Sequence, residues 1–242
     1  MSDYDIEFHW DPICPFAWIT SRWVNQVVAQ RNYRVDWRFI SLRLLNKDKD
    51  YATDFPPEYP QLHGAGLRML RVAASVRTEH GRDTMGPLYT ALGERLWDTP
   101  PSQGVANTAM TDSGTDELVS SVLSSLDLPA THVGAADDTS WDEELTAETE
   151  HALARTGRDV GTPIISFEPP DGPSFFGPVI SRLPSDDEAV ELWDAIITLS
   201  RWAGFAELKR SLREVPQLAA LGYNDDDESI VEQDWKGGRR VS

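Results

Sequence analysis

The chain has 242 residues, of which 40% are apolar, and its 40 acidic against 22 basic residues give a net charge of −18. The apolar fraction is enough for a packed core, while the negative field makes nucleic acid and membrane surfaces poor candidate partners. A single cysteine excludes an intramolecular disulfide.

The N-terminal residues MSDYDIEFHWDP lack the basic and apolar regions of a signal peptide. No apolar run in the sequence reaches the roughly 18 residues that a transmembrane helix needs. We therefore expect neither export nor a membrane span, and a reducing cytoplasm is the expected compartment.

The predicted elements begin with two strands around one helix. Residues 4–10 alternate between apolar and polar side chains, as a half-buried strand does. The segment DPICP interrupts this alternation, and apolar residues at helical spacing then predict a helix over residues 16–30. Residues 33–41 alternate again, so the opening predicts a parallel β–α–β unit with a right-handed crossover.

Helical patterns broken by loops fill the middle of the chain, from about residue 62 to residue 158. Pro87 fits the first turn of one of these helices, where its missing N–H would be unpaired in any case. Further helices are predicted over residues 115–126 and 142–155, the second ending at Gly157 as a C-cap.

Strands return after the helical middle. The segment VGTPIISFEPPDGPSFFGPV predicts strand, turn and strand, with Asp171-Gly172 as the turn. Ser185 and Glu188 have the spacing of a capping box, and a final helix is predicted over residues 189–205.

The order β–α–β, helices, β–β–α predicts an α/β (α+β) fold in which one sheet domain is interrupted by a helical insertion. The sheet domain comprises residues 1–61 and 159–206, and the insertion comprises residues 62–158. Residues 207–242 form a polar C-terminal tail, which we expect to be loosely held.

Cys14 lies directly after the first predicted strand and directly before the first predicted helix. Unpaired backbone N–H groups and the positive end of the helix dipole favour a thiolate there, so the pKa of the thiol is expected to be lowered. Pro15 suits the first helical position. A buried, unreactive cysteine is the ordinary alternative, but the context D-P-x-C-P-aromatic favours a reactive one.

Gly161-Thr162-Pro163 precedes an apolar strand late in the chain. Proline is tolerated at a strand entry because no ladder hydrogen bond is lost there, and a trans bond is the commoner state. A thiol at the end of the first strand, combined with Thr162-Pro163 before the last hairpin and helix, indicates a thioredoxin-like fold.

Several segments resemble known oxidoreductases. DPICPFAWITSRW is similar to the active-site segment of DsbA-like oxidoreductases, and VGTPIISF resembles their cis-proline loop. Together with ISLRLLN and FFGPVISRLPSDDEAVELWDA, these segments resemble the mycothiol-dependent nitroreductases of actinobacteria. The resemblance implies a thioredoxin-like fold with a DsbA-type helical insertion. It also implies an enzyme that reduces nitro-compounds and other electrophiles through a cysteine recharged by mycothiol.

The resemblance implies roles for individual residues. Cys14 matches the attacking cysteine and Pro163 the cis-proline. Asn46 and Tyr59 match positions that line the family's substrate pocket. Ala17 departs from the family pattern, because it stands where a resolving cysteine is expected.

Aromatic side chains near Cys14 are candidates for substrate contact. Trp10, Phe16 and Trp18 are expected to form an apolar wall for an aromatic substrate, although tryptophan is more often a core residue. The short side chain of Thr162 leaves room for a bulky thiol. The predicted binding surface for substrate or thiol consists of Pro15, Phe16, Trp18, Asn46, Tyr59, Thr162 and Pro163.

Ala17 decides the predicted mechanism, because Cys14 cannot close an intramolecular disulfide without a second cysteine. A mixed disulfide or adduct on Cys14 must be resolved by an external thiol, either a low-molecular-weight thiol such as mycothiol or a glutaredoxin-like protein. The predicted function is a thiol-dependent oxidoreductase acting on electrophilic or disulfide substrates. Its cycle comprises attack by the Cys14 thiolate, resolution by a small thiol and regeneration by a second thiol.

Two alternatives keep the fold. Kappa-class glutathione transferases and 2-hydroxychromene-2-carboxylate isomerases share the helical insertion and activate a thiol cofactor, and Cys14 would then hydrogen-bond the cofactor's thiolate. The second alternative is a non-catalytic binding or chaperone-like protein, which Ala17 favours. The sequence leaves the oligomeric state open, with a homodimer among the alternatives.

The five histidines show no HExxH or other metal-ligand spacing, so no metal is expected. His9 is a weak candidate site residue near the end of the first strand. Gly64-Ala65-Gly66 has no strand before it, so it does not indicate a dinucleotide site.

Overall fold

A computed structural model describes residues 3–101, 112–223 and 232–234. The strands are β1 (Ile6–Trp10), β2 (Val35–Phe39), β3 (Ile164–Phe167), β4 (Ser174–Phe176), β5 (Leu212–Glu214) and β6 (Glu232–Asp234). The helices are α1 (Pro15–Arg31), α2 (Leu42–Leu45), α3 (Tyr51–Asp54), α4 (Tyr59–His80), α5 (Met85–Trp97), α6 (Asp116–Ser125), α7 (Asp142–Thr156) and α8 (Asp186–Arg201). No helix in the described ranges has both the length and the apolar character that a bilayer crossing requires.

Four strands form one mixed sheet in the order β2-β1-β3-β4. β1 and β2 are parallel, with Trp10 opposite Phe39, and α1 joins them, so the predicted β–α–β opening is confirmed. The β1–β3 and β3–β4 pairs are antiparallel. Because His9 pairs with Ile164, the loop before β3 lies at the end of β1.

The sheet and the helical insertion share one hydrophobic core, in which β1 is buried along its whole length. Trp10 stacks on Tyr89 of α5, with ring centroids 4.3 Å apart. Trp23 of α1 and Phe167 of β3 pack on Trp193 of α8 at centroid distances of 5.6 and 5.5 Å. The insertion therefore packs as a layer on the sheet.

A buried ion-pair network ties the insertion to the sheet. Arg38 of β2 bonds to Glu7 of β1 at 3.1 Å and to Glu148 of α7 at 2.7 Å. Arg77 of α4 bonds to Glu148 at 3.3 Å. Burial acts to raise the pKa of Glu148, but the two guanidinium groups together lower it to about 2. Removing one partner from a buried pair costs about 3–5 kcal/mol, so this network fixes how α4 and α7 sit on the strands.

The predicted helices of the insertion are confirmed. Pro87 lies in the first turn of α5, which begins at Met85. Helices α6 and α7 cover the segments predicted at residues 115–126 and 142–155. Gly157 caps α7 with a φ of 91°, a conformation that glycine adopts at low cost.

The last helix is shifted from the prediction over residues 189–205. The capping box of Ser185 and Glu188 is present, so α8 begins at Asp186. It ends at Arg201, because the next residue has an extended backbone.

Part of the predicted C-terminal tail packs on the folded body. Leu218 is buried, and Gln217 donates its backbone N–H to the carbonyl of Ser181 at 2.7 Å. Strands β5 and β6 pair antiparallel. The remaining tail, residues 224–231 and 235–242, lies outside the described residues.

The contact between α1 and α5 generates a stability prediction. A Cβ at Gly93 would overlap the ring carbons of Trp18, so we expect Gly93→Ala to lower the free energy of unfolding by about 1–3 kcal/mol through overpacking. Urea unfolding measures the change. Gly64→Ala in α4 is the matched control, because a Cβ there meets no atom within 4 Å and helix propensity predicts a gain of about 0.5–1 kcal/mol. Equal stabilities of the two variants would contradict this packing.

Candidate active site

Cys14 is the N-cap of α1, where the chain leaves β1 and enters the helix. Its sulfur accepts the backbone N–H of Ala17 at 3.4 Å, and Pro15 occupies the first helical position as predicted. Cys14 is only 7% exposed. Its apolar neighbours are Phe16, Ala17, Leu42 and Val179.

Thr162 approaches the thiol from the other half of the chain. The Cys14 thiol donates to the Thr162 carbonyl, with 3.4 Å between Sγ and oxygen. The Thr162–Pro163 peptide bond is cis, as the resemblance implied. Thr162 Oγ1 donates to the carbonyl of His9 at 3.3 Å, which attaches the loop before β3 to β1.

The predicted lowering of the Cys14 pKa is wrong. Burial raises the pKa of this thiol to about 12, and the charge of Asp11 adds to the rise. The backbone N–H groups of Ala17 and Phe16 act in the opposite direction. Burial wins because the apolar neighbours cannot replace the water that a thiolate loses. In this closed conformation Cys14 is a protonated thiol.

Asp11 is a buried carboxyl for which the sequence indicated no role. Its oxygens accept the backbone N–H groups of Leu42 at 2.8 Å and Ile13 at 3.2 Å, so it joins the loop before α1 to the start of α2. Burial raises the pKa of Asp11 to about 7, although both hydrogen bonds lower it. Its position in the segment DPICP was the available signal, but only the tertiary contacts show its burial.

Phe16 packs in the same cluster as the thiol, and Asn46 is connected to that cluster indirectly. Phe16 packs on Cys14, and the guanidinium of Arg213 is 5.9 Å from the Phe16 ring centroid. Asn46 caps the C-terminus of α2 and donates through Nδ2 to the carbonyl of Leu42 at 2.9 Å. Because Leu42 packs against the cluster of Cys14, Phe16 and Ala17, Asn46 is linked to that cluster through Leu42.

Tyr59 belongs to a row of aromatic rings, the aromatic row, formed by Tyr51, Phe55, Tyr59 and His63. Successive ring centroids are 4.8, 5.7 and 5.2 Å apart, and Tyr51 Oη is 2.8 Å from His63 Nδ1. Burial raises the pKa of Tyr59, and the charge of Cys14 raises it further. Burial lowers the pKa of His63 to about 4, which keeps the ring neutral.

Trp10 and Trp18 do not form the predicted substrate wall. Both indoles are buried against Tyr89, a residue of the insertion that is distant in sequence. The Trp18 indole N–H donates to Asp98 at 2.9 Å. Trp18 also lines a cavity of about 620 Å³, but Cys14 is not among the residues lining it. These two residues support the core and not the thiol surface.

Comparison with known proteins gives a family match. A family model described as Rv2466c-like, mycothiol-dependent nitroreductase Rv2466c, matches residues 13–210. The matched segment runs from beside Cys14 through α8, which is well over half of the chain. The uncharacterized protein Rv2286c of Mycobacterium tuberculosis is 27% identical over 212 residues, which are 85% of this chain and 81% of that protein.

Solved structures are similar in fold. A candidate protein disulfide isomerase from Nitrosomonas europaea superimposes with a TM-score of 0.51 at 11% identity, over 79% of this chain and 97% of that chain. The cytosolic disulfide reductase DsbM from Pseudomonas aeruginosa superimposes with a TM-score of 0.44 at 14% identity, over 80% of this chain and 98% of that chain. The first likeness confirms the predicted fold, a DsbA-like thioredoxin fold with a helical insertion.

The burial of Cys14 predicts a slow, strongly pH-dependent thiol. With a pKa of about 12, only about one thiol in 10⁵ is ionised at pH 7, against a few per cent for an ordinary cysteine. We expect alkylation by iodoacetamide to accelerate continuously from about pH 6 to 10.5 without a plateau. The same chain unfolded in urea is the control, and its rate should level off above about pH 9.5, one unit above an ordinary pKa of about 8.5. A plateau of the folded protein below about pH 7 would show that the thiolate is stabilised instead.

Proposed function

Because this chain belongs to the Rv2466c-like family of mycothiol-dependent nitroreductases, we propose that it is a thiol-dependent oxidoreductase working with the single cysteine Cys14. The observation that carries the proposal is the contact of Cys14 Sγ with the Thr162 carbonyl at 3.4 Å, at the N-cap of α1. Family membership supplies the co-substrate, since we propose that mycothiol resolves the adduct on Cys14.

Ala17 makes each turnover depend on external thiols. With a disulfide substrate, the sulfur of Cys14 attacks one substrate sulfur, forms a mixed disulfide and releases the other sulfur as a thiolate. Mycothiol then attacks the mixed disulfide and restores Cys14. With a nitro-compound, Cys14 and one mycothiol supply two electrons and two protons. The nitro group becomes a nitroso group and water, and a second mycothiol reduces the resulting Cys14–mycothiol disulfide.

The raised pKa of Cys14 adds a condition to this cycle. The sulfur must gain hydrogen-bond donors or water before it attacks, because the thiolate is the nucleophile. The N–H groups of Ala17 and Phe16 already act on the sulfur and lower its pKa. We therefore propose that a substrate displaces Leu42 and Val179 from the thiol, and that this opening activates Cys14.

The aromatic row favours an aromatic electrophile as substrate. Its rings are neutral and partly stacked, and the pKa of Tyr59 responds to the charge of Cys14. An electron-poor nitroaromatic ring gains from offset stacking on such a surface.

A reducing compartment fits this function, because a single cysteine that depends on an external thiol must be recharged continuously. We therefore place the protein in the cytoplasm. A glutaredoxin-like protein is an alternative source of the second thiol.

One observation favours a second function of the kind found in kappa-class glutathione transferases. A thiol that stays protonated is a hydrogen-bond donor, and Cys14 already donates to Thr162. A bound low-molecular-weight thiol could accept this bond as its thiolate and attack the electrophile itself. Cys14 would then never be oxidised.

Cys14→Ser distinguishes these two functions, because a hydroxyl donates a hydrogen bond but forms no disulfide. We expect mycothiol-dependent reduction of a nitroaromatic substrate to fall by about 10²-fold or more. Mass spectrometry should find one mycothiol on the wild-type chain after incubation with mycothiol disulfide, and none on the variant. Cys14→Ala is the control, since it removes the donor as well. Substantial turnover in Cys14→Ser together with loss in Cys14→Ala would overturn the redox cycle and support the second function.

Ala17→Cys should restore internal resolution. Residues 14 and 17 are one helical turn apart, and the Ala17 N–H is 3.4 Å from Cys14 Sγ. After incubation with mycothiol disulfide, we expect the variant to carry an internal disulfide, seen as the loss of two hydrogens in its intact mass, in place of a mycothiol adduct. Ala17→Ser, of similar size, should keep the adduct. A persistent mycothiol adduct on Ala17→Cys would contradict the assignment of residue 17 as the resolving position.

A further inference from the structure

Two histidines and a glutamate from separate segments of the helical insertion meet at the surface. Glu79 and His80 end α4, and His132 lies in the 3-10 segment Ala130–Asp137. The Nε2 atoms of His80 and His132 are 3.1 Å apart. Glu79 reaches both rings, with Oε2 3.5 Å from His132 Nε2 and Oε1 4.0 Å from His80 Nε2.

His132 is held with one ring nitrogen facing the cluster. Its side chain is 3% exposed, and Ser75 Oγ lies 2.8 Å from its Nδ1. A hydrogen bond to the nitrogen that faces away is the usual device that orients a metal-binding histidine and fixes its tautomer.

Arginines of α4 hold this helix against the 3-10 segment and the start of α7. Arg71 of α4 donates to the carbonyl of Ala136 at 3.1 Å and pairs with Asp142 at 2.7 Å. Arg68, also on α4, pairs with Asp137. The histidines are therefore presented by a preformed contact between α4 and the 3-10 segment.

We propose that Glu79, His80 and His132 form a binding site for a divalent transition-metal ion of the zinc class. Zinc takes imidazole and carboxylate ligands tetrahedrally, at Zn–N distances of about 2.0–2.1 Å, which places two ligand nitrogens about 3.3–3.4 Å apart. The two Nε2 atoms stand at 3.1 Å, close to that spacing. The side chain of Glu79 is 63% exposed, so the fourth position opens to water.

Without metal, the contact between the two Nε2 atoms is a hydrogen bond from one neutral imidazole to the other. A metal ion needs the lone pairs of both atoms, so the donating ring must carry its proton on Nδ1 instead. The Nδ1 atom of His132 already lies at hydrogen-bond distance from Ser75 Oγ. Binding therefore replaces one shared proton by the ion without a change in net protonation of the two rings.

A second cluster of similar composition does not fit a cation. Glu7, His9 and His151 also lie close together. However, Arg38 Nη1 is 3.1 Å from Glu7 Oε1 and 3.2 Å from His151 Nε2, and Arg155 Nη1 is 3.4 Å from Glu7 Oε2. These guanidinium groups already supply the positive charge, so a metal ion would be repelled.

Sequence spacing gave no signal for the proposed site, because its ligands come from residues 79, 80 and 132 and meet only through helix packing. The expectation of no metal rested on contiguous motifs and is replaced by this proposal. A bound ion would join the C-terminal end of α4 to the segment that follows α6, and so stabilise the insertion.

Zinc binding to the full chain tests the proposal. The parent for the experiment is Cys14→Ser, which removes the chain's one thiol as a competing ligand. Equilibrium dialysis against zinc chloride with metal analysis should find one zinc per chain. Saturating zinc should raise the melting temperature by about 5 °C. Adding His132→Ala or Glu79→Gln should weaken binding by about 10-fold or more and, at the same zinc concentration, cut the thermal shift to about half or less.

His151→Ala is the matched control and should bind zinc like the parent. Glu79 is exposed, so Glu79→Gln leaves the fold intact and its loss of affinity reports on ligation. Cobalt in place of zinc should give the visible absorption of a tetrahedral complex in the parent and not in His132→Ala. The proposal is overturned if the parent binds no zinc, if His132→Ala and Glu79→Gln bind it as well as the parent, or if His151→Ala alone loses it.

Discussion

The hydrogen bond between the Cys14 thiol and the Thr162 carbonyl is the contact on which the active site depends, because it joins residues 148 positions apart. It exists only in the observed register of β1 and β3, in which His9 lies opposite Ile164. A slip of one residue would turn the side chains of β3 to the other face of the sheet and move Thr162 away from the sulfur. The geometry of the thiol is therefore a consequence of strand pairing, and the core around β1 protects it.

Loss of water, more than any charge, sets the protonation of this site. Burial is the largest cause of the raised pKa of Cys14, to about 12, and of Asp11, to about 7. It is also the largest cause of the lowered pKa of His63, to about 4. Each shift favours the neutral form, so at pH 7 the Cys14 thiol and the His63 ring are neutral, and Asp11 is about half protonated. A helix N-terminus alone does not produce a thiolate in such surroundings, and reactivity must be coupled to the entry of a ligand or water.

Local sequence patterns correctly predicted the features that depend on residues close together in the chain. The alternation of apolar and polar residues predicted β1 and β2. The position of Cys14 between the first strand and the first helix predicted its place at the start of α1, and the family resemblance predicted the cis bond at Pro163. The errors share one cause. The direction of the Cys14 pKa shift is set by burial, in a cluster on which Leu42 and Val179 pack, and Trp18 is buried against Tyr89. None of these neighbours is near in sequence, so only the assembled insertion and sheet reveal the environment.

The helical insertion also contributes to the active site, because α4 packs against Asp11. Gly66 of α4 passes so close to Asp11 that a Cβ at residue 66 would lie 2.6 Å from Asp11 Oδ1. That close approach leaves no room for water at the carboxyl, which holds the N–H groups of Leu42 and Ile13. Leu42 in turn packs against the cluster of Cys14, Phe16 and Ala17. A series of contacts thus runs from α4 through Asp11 and Leu42 to the cluster that contains the thiol. Because the charge of Asp11 raises the pKa of Cys14, the insertion influences the acidity of the thiol through the carboxyl that it buries.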